Sequence, residues 1–276
     1  MSGKVDLHTH TAYSDGFYSP EELVIKAKNA GIDIIGISDH DNLKGISEAV
    51  EAGKKVGVEV IPGLEISSDL KDREVHILAY FFETDNAELE RYLTFFREER
   101  LKRAIRIVDK LRALGFNISI EDVLKRTKNS AVGRPHIAQT MVEQGMTSSY
   151  YEAFNKYIGN GCPAYEKKVH LSPQSACKII SDAGGLSFIA HPGFMPEVLL
   201  KELITAGVDG IEVIHPSHTP TQIRFYRGIV NEYFLLESGG SDFHGGKRED
   251  DNNLGKYFVG THVVEAMRKR LLRNTA

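Results

Sequence analysis

The segment VDLHTHTAYSDG, residues 5–16, begins as an apolar run and ends with two histidines, one residue apart, and a carboxylate five residues later. Side chains two apart on an extended chain point to the same side, so a strand would direct His8 and His10 at one point. A short motif of this kind can equally be the polar end of a strand. The rest of the chain must decide between these readings.

The chain has the composition of a folded, cytoplasmic protein. Of its 276 residues, 41% are hydrophobic and 26% are charged, which is close to average. The two cysteines, Cys162 and Cys177, form neither a CxxC pair nor a disulfide pattern, which favours a reducing compartment. No apolar run predicts a membrane span, and no leader predicts export. The net charge of -4 opposes a generally basic nucleic-acid surface but permits a locally positive cleft.

Strand-like and helix-like segments alternate in both terminal parts of the chain. The segment IDIIGIS at 32–38 is apolar throughout, as in a strand buried on both faces. Ser19 followed by Pro20 and Glu22 predicts the start of a helix. Strands are predicted at 4–7, 32–38, 58–65, 74–82, 186–190, 210–214 and 234–238. This order predicts an α/β fold, a barrel of seven strands with intervening helices.

The alternation stops between residues 86 and 165. A long amphipathic helix is predicted at 86–114, and shorter helical stretches follow at 119–127, 135–144 and 148–157. We therefore predict a barrel domain formed by 1–85 and 166–276, interrupted by a helical insertion at 86–165.

Histidines and acids close or follow six of the predicted strands. The carboxyl-terminal face of the strands carries the active site in barrels of this type. Only His76 lies early in its strand. The residues at strand ends are His8, His40, Glu65, His191, His215, Asp242 and His244.

This concentration of histidines and carboxylates predicts a metal centre. Buried groups at such density need counter-charges, which divalent cations supply. Imidazole with carboxylate is the ligand set of Mn, Zn or Fe rather than of Ca or Mg. Because a catalytic zinc uses about three protein ligands, two or three ions are expected. The cleft would attract phosphate, and paired ions can activate water for attack on phosphorus, so we expect a phosphoester hydrolase.

Six motifs together resemble the PHP family, named for polymerase and histidinol phosphatase, and they extend over essentially the whole chain. They are HTHTAYSDG at 8–16, SDHDN at 38–42, GLE at 63–65, VHILAY at 75–80, AHPG at 190–193 and SDFHG at 241–245. The resemblance implies a distorted seven-stranded (β/α)7 TIM-like barrel with a trinuclear centre.

The resemblance also implies how the ligands divide among three ions. The first ion would be held by His8, His10, Glu65 and Asp242. Glu65 would bridge to a second, held also by His76 and His191, and the third would be held by Asp15, His40 and His244. Many family members have histidine at the position of Asp15.

Within the family, GRPHIA at 133–138, IEVIHPSH at 211–218 and the insertion are similar to a subgroup of nucleotide phosphoesterases. Those enzymes remove the 3'-phosphate of nucleoside 3',5'-bisphosphates or degrade oligoribonucleotides from 5' to 3'. The resemblance implies a small phosphorylated nucleotide or short single-stranded RNA as substrate, a capping insertion, and phosphate contacts from the catalytic residues Arg134 and His215. A planar guanidinium suits two phosphate oxygens. Arg134 and His136 could instead anchor a helix start.

Several alternatives stay open at the level of the sequence. The chain could be a histidinol-phosphate-type phosphatase, an amidohydrolase-like metal hydrolase or a metal-stabilised module without catalysis. His170, His218 and His262 are expected to be solvated or structural. A stripe of basic residues on the long helix could attract a polyanion or could be an ordinary solvated face. Its members are Arg97, Arg100, Arg103, Arg106 and Lys110.

Overall fold

The computed structural model describes residues 3–71, 73–127, 131–169, 171–246 and 250–274. Eight strands form one sheet: β1 Lys4–Thr9, β2 Ile34–Ile37, β3 Glu59–Leu70, β4 Arg73–Tyr80, β5 Leu186–Ile189, β6 Gly210–Ile214, β7 Leu236–Gly239 and β8 Val259–Gly260. The helices are α1 Pro20–Asn29, α2 Ile46–Val56, α3 Ala87–Ala113, α4 Ile120–Leu124, α5 Arg134–Glu143, α6 Tyr150–Ala153, α7 Pro173–Asp182, α8 Glu197–Thr205, α9 Pro220–Glu232 and α10 Thr261–Asn274.

The sheet confirms the α/β barrel prediction and adds a short eighth strand. Its order is β7-β6-β5-β4-β3-β2-β1-β8. Thr9 forms a parallel bridge with Phe243, which brings the segment after β7 beside β1. A Cβ atom at Gly240 would lie 2.5 Å from the backbone nitrogen of His8. The sheet therefore curves until its two ends nearly meet.

Two strand pairings depart from the simple alternation of parallel strands and helices. β4 runs antiparallel to both β3 and β5, whereas β1, β2 and the start of β3 are parallel. β3 also continues past Glu65 to Leu70, five residues beyond the predicted strand end. The first part of β3 pairs with β2 and the rest with β4, so Glu65 lies within this strand rather than at its end.

Local sequence signals account for the helix boundaries that frame the sheet. The Ser19 side chain caps α1 by accepting a hydrogen bond from the Glu22 backbone N–H. The Glu22 carboxylate in turn accepts one from the Ser19 backbone N–H. α2 ends at Val56 and is followed by the C-cap residue Gly57, whose φ of 71° suits glycine. Apolar faces of α1 and α2 pack on β2 through Leu23, Ala49 and Ile35.

The described residues divide into two compact units. One contains those of 1–90 and 171–276, including every strand, and the other contains those of 91–170. The second unit has its own apolar core, to which Val108, Leu111, Ile137 and Met141 contribute. Its last helix, α6, continues into a π-helical turn, Phe154–Ile158. The role of the predicted insertion as a substrate cap stays a prediction.

Candidate metal centre

His8 and His10 lie at the carboxyl end of β1, and both side chains are buried. Their spacing directs both rings to the same side of the extended chain. Their Nε2 atoms are 3.1 Å apart. This is the arrangement that the His-Thr-His motif at 8–10 predicted for a strand end.

Glu65 on β3 is the residue around which the other side chains gather. Its Oε2 atom lies 3.3 Å from Nε2 of His8 and of His10, and 3.4 Å from Nδ1 of His40. Its Oε1 atom lies 2.7 Å from Nδ1 of His76 and 2.9 Å from Nε2 of His191. One buried carboxylate therefore contacts five histidines from four segments of the chain.

The direction of β4 explains why His76 lies early in its strand. An antiparallel strand begins at the rim where its parallel neighbours end. Ile77 pairs with the last residue of β5, Ile189, and the backbone carbonyl of His76 accepts from the N–H of Ala190. His76 therefore lies beside the segment that carries His191.

Two aspartates complete the arrangement. Asp242 Oδ1 lies 3.3 Å from Nε2 of His8 and 3.1 Å from Nε2 of His10. Asp15 Oδ1 lies 3.3 Å from Nε2 of His244 and 3.8 Å from Nε2 of His40. All nine predicted ligands thus lie in one connected cluster.

Within this cluster, four groups have one potential ligand atom per residue, all within 4.8 Å of one another. The groups are His8–His10–Asp242, His8–Glu65–His191, His40–Glu65–His76 and His10–Asp15–His40–His244. Several residues belong to two groups, as expected of ligands that surround neighbouring ions.

The nitrogen and oxygen atoms of this cluster are better suited to bind a cation than to form hydrogen bonds with one another. The facing Nε2 atoms of His8 and His10 can share at most one proton. Nδ1 of His10 is buried and has no hydrogen-bond partner among the described residues. Such orphaned acceptors are costly in a protein interior, and a divalent ion would satisfy them.

The pKa values of the two histidines move in opposite directions. Burial disfavours the charged form of His8, but Glu212, Asp242 and Glu65 outweigh burial and hold its pKa well above the usual range. Burial and the neighbouring His244 lower the pKa of His10 to about 3. Without an ion, His8 is therefore protonated and positively charged, whereas His10 is neutral.

The carboxylates respond to the same neighbours. Burial would raise the pKa of Glu65, but His40, His76 and His8 hold that pKa well below its usual range. Burial is likewise outweighed at Asp242, where His8, His10 and His215 lower the pKa. Both groups are therefore ionised, which is the state that a cation requires.

Glu212 is a buried carboxylate at the site that the sequence-based prediction missed. Its Oε1 atom lies 2.9 Å from Nδ1 of His8, and its Oε2 atom accepts from the backbone N–H of His191 at 2.6 Å. It stands in the middle of the otherwise apolar strand GIEVI, which is the signal that could have identified it. Glu212 directs Nε2 of His8 towards Glu65 and His10.

Two further aspartates hold the loops that carry ligands. Asp39 accepts from the backbone N–H of Thr11 at 2.7 Å, from the Thr11 hydroxyl at 2.6 Å and from the Ser14 hydroxyl. These bonds fix the loop that carries Asp15. Asp250 accepts from the backbone N–H groups of His244, at 2.7 Å, and Gly245, at 2.9 Å. Sequence reasoning did not single out either residue, although Asp39 directly follows the predicted strand at 32–38.

Two candidate ligands have left-handed backbone conformations. The φ angle is 24° at His191 and 49° at Asp242, which is unfavourable for residues other than glycine. Strained residues of this kind cluster at functional sites, where the surrounding structure holds them in place. The bond from the His191 N–H to Glu212 is one such restraint.

The predicted catalytic residues have different surroundings. Nε2 of His215 lies 3.4 Å from Asp242 Oδ2, and its Nδ1 accepts from the backbone N–H of Ser217 at 3.1 Å. In neutral His215 the proton is therefore on Nε2. Arg134 lies in the helical unit, where its guanidinium donates to Asn160 Oδ1 at 3.1 Å and lies 5.6 Å from the Phe154 ring centroid. The phosphate contacts of both residues stay predictions.

The remaining basic and histidine residues are mostly explained by local contacts. Arg106 and Lys110 form ion pairs with Glu166, and Arg103 donates to its backbone carbonyl, so part of the basic stripe holds a neighbouring segment. His218 has a structural role, because its Nδ1 donates to the Val213 carbonyl at 3.0 Å. His262 is exposed, and His170 lies outside the described residues.

Known proteins are similar to this chain over most of its length. A family model of the PHP domain matches residues 6–121. A 5'-3' exoribonuclease of Haemophilus influenzae is 35% identical over 250 residues, which cover 88% of this chain and 91% of that protein. The 3',5'-nucleoside bisphosphate phosphatase of Chromobacterium violaceum is 31% identical over 247 residues, 87% of each. A solved structure of a metal-dependent phosphoesterase from Bifidobacterium adolescentis has a TM-score of 0.84 at 31% identity and covers 96% of each chain.

The barrel and its rim of histidines and carboxylates define a metal-dependent phosphoesterase. The chain belongs to the PHP family, and it is a hydrolase of phosphoric esters that uses divalent metal ions. Within the described residues, no helix combines the length and apolar character needed to cross a membrane.

Proposed function

We propose that this enzyme hydrolyses phosphate monoesters of nucleotides. It removes the 3'-phosphate of nucleoside 3',5'-bisphosphates and also degrades short oligoribonucleotides from 5' to 3'. The main observation that supports a hydrolytic metal centre is the contact of Glu65 with five histidines. The substrate follows from the two relatives, which are named for these activities and align over most of the chain. We place the enzyme in the cytoplasm, which its two free cysteines favour.

We further propose that three ions of Mn, Zn or Fe occupy the cluster. His8, His10, Glu65 and Asp242 would hold the first, Glu65 with His76 and His191 the second, and Asp15, His40 and His244 the third. Two of the four observed groups support the first and third sets. Divalent ions supply Lewis acidity there, neutralising phosphate charge and making water nucleophilic near neutral pH.

The side chains of this chain would hold the substrate and manage one proton. Neutral His215 keeps its proton on Nε2, beside Asp242, from where it can donate to a leaving oxygen. Arg134 would bind phosphate oxygens through its guanidinium. Glu212 would keep His8 and the His191 backbone in position during the reaction.

The decisive experiment replaces Asp242 and His191 singly with alanine. We expect both variants to lose phosphate release from adenosine 3',5'-bisphosphate and to retain less metal by elemental analysis, with circular dichroism unchanged. His262→Ala, at an exposed histidine, is the matched control and should keep the wild-type rate. Wild-type rates in both variants would contradict the assignment of the site.

A substrate panel tests the specificity separately. Adenosine 3',5'-bisphosphate, a 5'-phosphorylated trinucleotide, histidinol phosphate and a cyclic amide should be compared with added manganese, zinc or iron. We expect turnover of the first two. Preference for histidinol phosphate or for the amide would replace the nucleotide assignment with that activity.

A further inference from the structure

The loop between β5 and α8, which carries the candidate ligand His191, also carries an exposed aromatic ring. Phe194 is 93% exposed, more than any other large hydrophobic residue among the described part of the chain, and it follows His191 by three residues. Val198, in the first turn of α8, is 63% exposed. Two exposed apolar side chains thus follow a candidate ligand closely in the sequence.

The backbone beneath this ring is held by side chains from another part of the barrel. The Gly193 carbonyl accepts from the Tyr226 hydroxyl at 2.6 Å and from Nε2 of Gln222 at 2.9 Å. The Gly193 N–H donates to Nε2 of His218 at 3.2 Å. The glycine has a φ of 56°, a conformation that costs glycine little. The exposure of Phe194 therefore does not come from a loosely attached backbone.

Two aromatic residues on the loop after β1, Phe17 and Tyr18, have packing roles. Tyr18 stacks on Phe243 at 6.1 Å and lies beneath the Lys26 ammonium at 4.5 Å. The ring of Phe17 is 59% exposed, but it packs closely on the backbone at Gly246, where a Cβ atom would lie 2.8 Å away. Phe194 is the ring that local packing leaves most available.

We infer that Phe194 is a specificity-determining residue that stacks against the nucleobase of the substrate. This inference rests on the proposed nucleotide substrate. Exposing a phenyl ring to water forfeits the free energy of its burial, and loops on a rigid scaffold commonly carry binding residues. A planar ring stacks on any base without reading its hydrogen-bonding edge. The cluster would bind the phosphate, while Phe194 would make the base contribute to affinity.

The test compares substrates with and without a base. Phe194→Ala should raise KM for adenosine 3',5'-bisphosphate by about ten-fold, the equivalent of one stacking contact, with kcat unchanged. KM for 1,2-dideoxyribose 3,5-bisphosphate, which lacks a base, should not change. Phe194→Trp should restore the wild-type KM. Phe234→Ala is the matched control, because Phe234 is 84% exposed but precedes β7, at the opposite end of that strand from Asp242.

Calorimetric binding of adenosine 5'-monophosphate to the metal-loaded protein separates this inference from the proposed function. If the wild type hydrolyses neither bisphosphate, the proposed function fails, and the ratio of Kd values between wild type and Phe194→Ala still decides the inference. Equal Kd values, or equal effects of the variant on both bisphosphates, would overturn it. If Phe194→Ala changed only the oligomeric state of the protein, the ring would belong to a contact between copies of the chain. That result would also overturn the inference.

Discussion

At the scale of single residues, Glu212 links two candidate ligands of the metal centre. It is fully buried, and its two oxygens contact the His8 ring and the His191 backbone. Burial would raise its pKa, but His8 and His215 outweigh burial and lower it. An ionised Glu212 keeps the Nδ1 proton of His8 in place and leaves Nε2 for an ion.

We expect Glu212→Gln to weaken metal binding about 10- to 100-fold, the usual effect of losing an outer partner of a metal-ligating histidine. Titration of the metal-free protein with manganese, followed by calorimetry, measures this change. Glu237→Gln is the control, because Glu237 lies on the neighbouring strand but pairs with Arg227. Equal affinities in the wild type and Glu212→Gln would remove Glu212 from the site.

At the scale of elements, close contacts between strands set the geometry of the rim. β2 approaches β1 closely at Gly36, where a Cβ atom would lie 2.5 Å from the backbone carbonyl oxygen of Leu7. Leu7 immediately precedes His8, so the position of β2 bears directly on a candidate ligand. The absence of a side chain at Gly36 is thus a packing requirement of this pair of strands.

We expect Gly36→Ala to lower the free energy of unfolding by about 1 to 3 kcal/mol, because the methyl group would force the strands apart. Gly228→Ala is a matched substitution in α9, where a Cβ atom would meet none of the described residues within 4 Å. That change should stabilise the protein by about 0.5 to 1 kcal/mol, since alanine favours helix. Urea denaturation measures both values. A neutral Gly36→Ala variant would show that the strand spacing is adjustable.

At the scale of the whole molecule, the proposed ions would link segments that are far apart in the sequence. The candidate ligands extend from His8 to His244 and come from both ends of the chain. A ligand that binds only the folded state stabilises it by mass action. The proposed metal centre is therefore also a stabilising element of the barrel.

Manganese at about 100 times its Kd should raise Tm by roughly 5 to 10 °C over the chelated protein. The shift should grow between pH 6 and pH 9. Burial would lower the pKa of His76, but Glu65 outweighs burial and raises that pKa to about 10 in the metal-free protein. An ion must displace this proton, so binding strengthens as pH rises. Differential scanning fluorimetry measures the shift, and Asp242→Ala should reduce it. An identical Tm with and without metal would contradict the proposed centre.

The sequence by itself predicted seven of the eight described strands, the helices of the insertion and the nine candidate ligands. These features are encoded locally, because strands and helices have their own periodicities. The His-Thr-His motif and most of the other candidate ligands lie next to apolar segments that predict strands. Only the tertiary structure decided the direction of β4, the continuation of β3 beyond Glu65 and the roles of Glu212, Asp39 and Asp250. Each depends on which distant segment lies alongside, and pairing between distant segments is not written in the pattern of either segment alone.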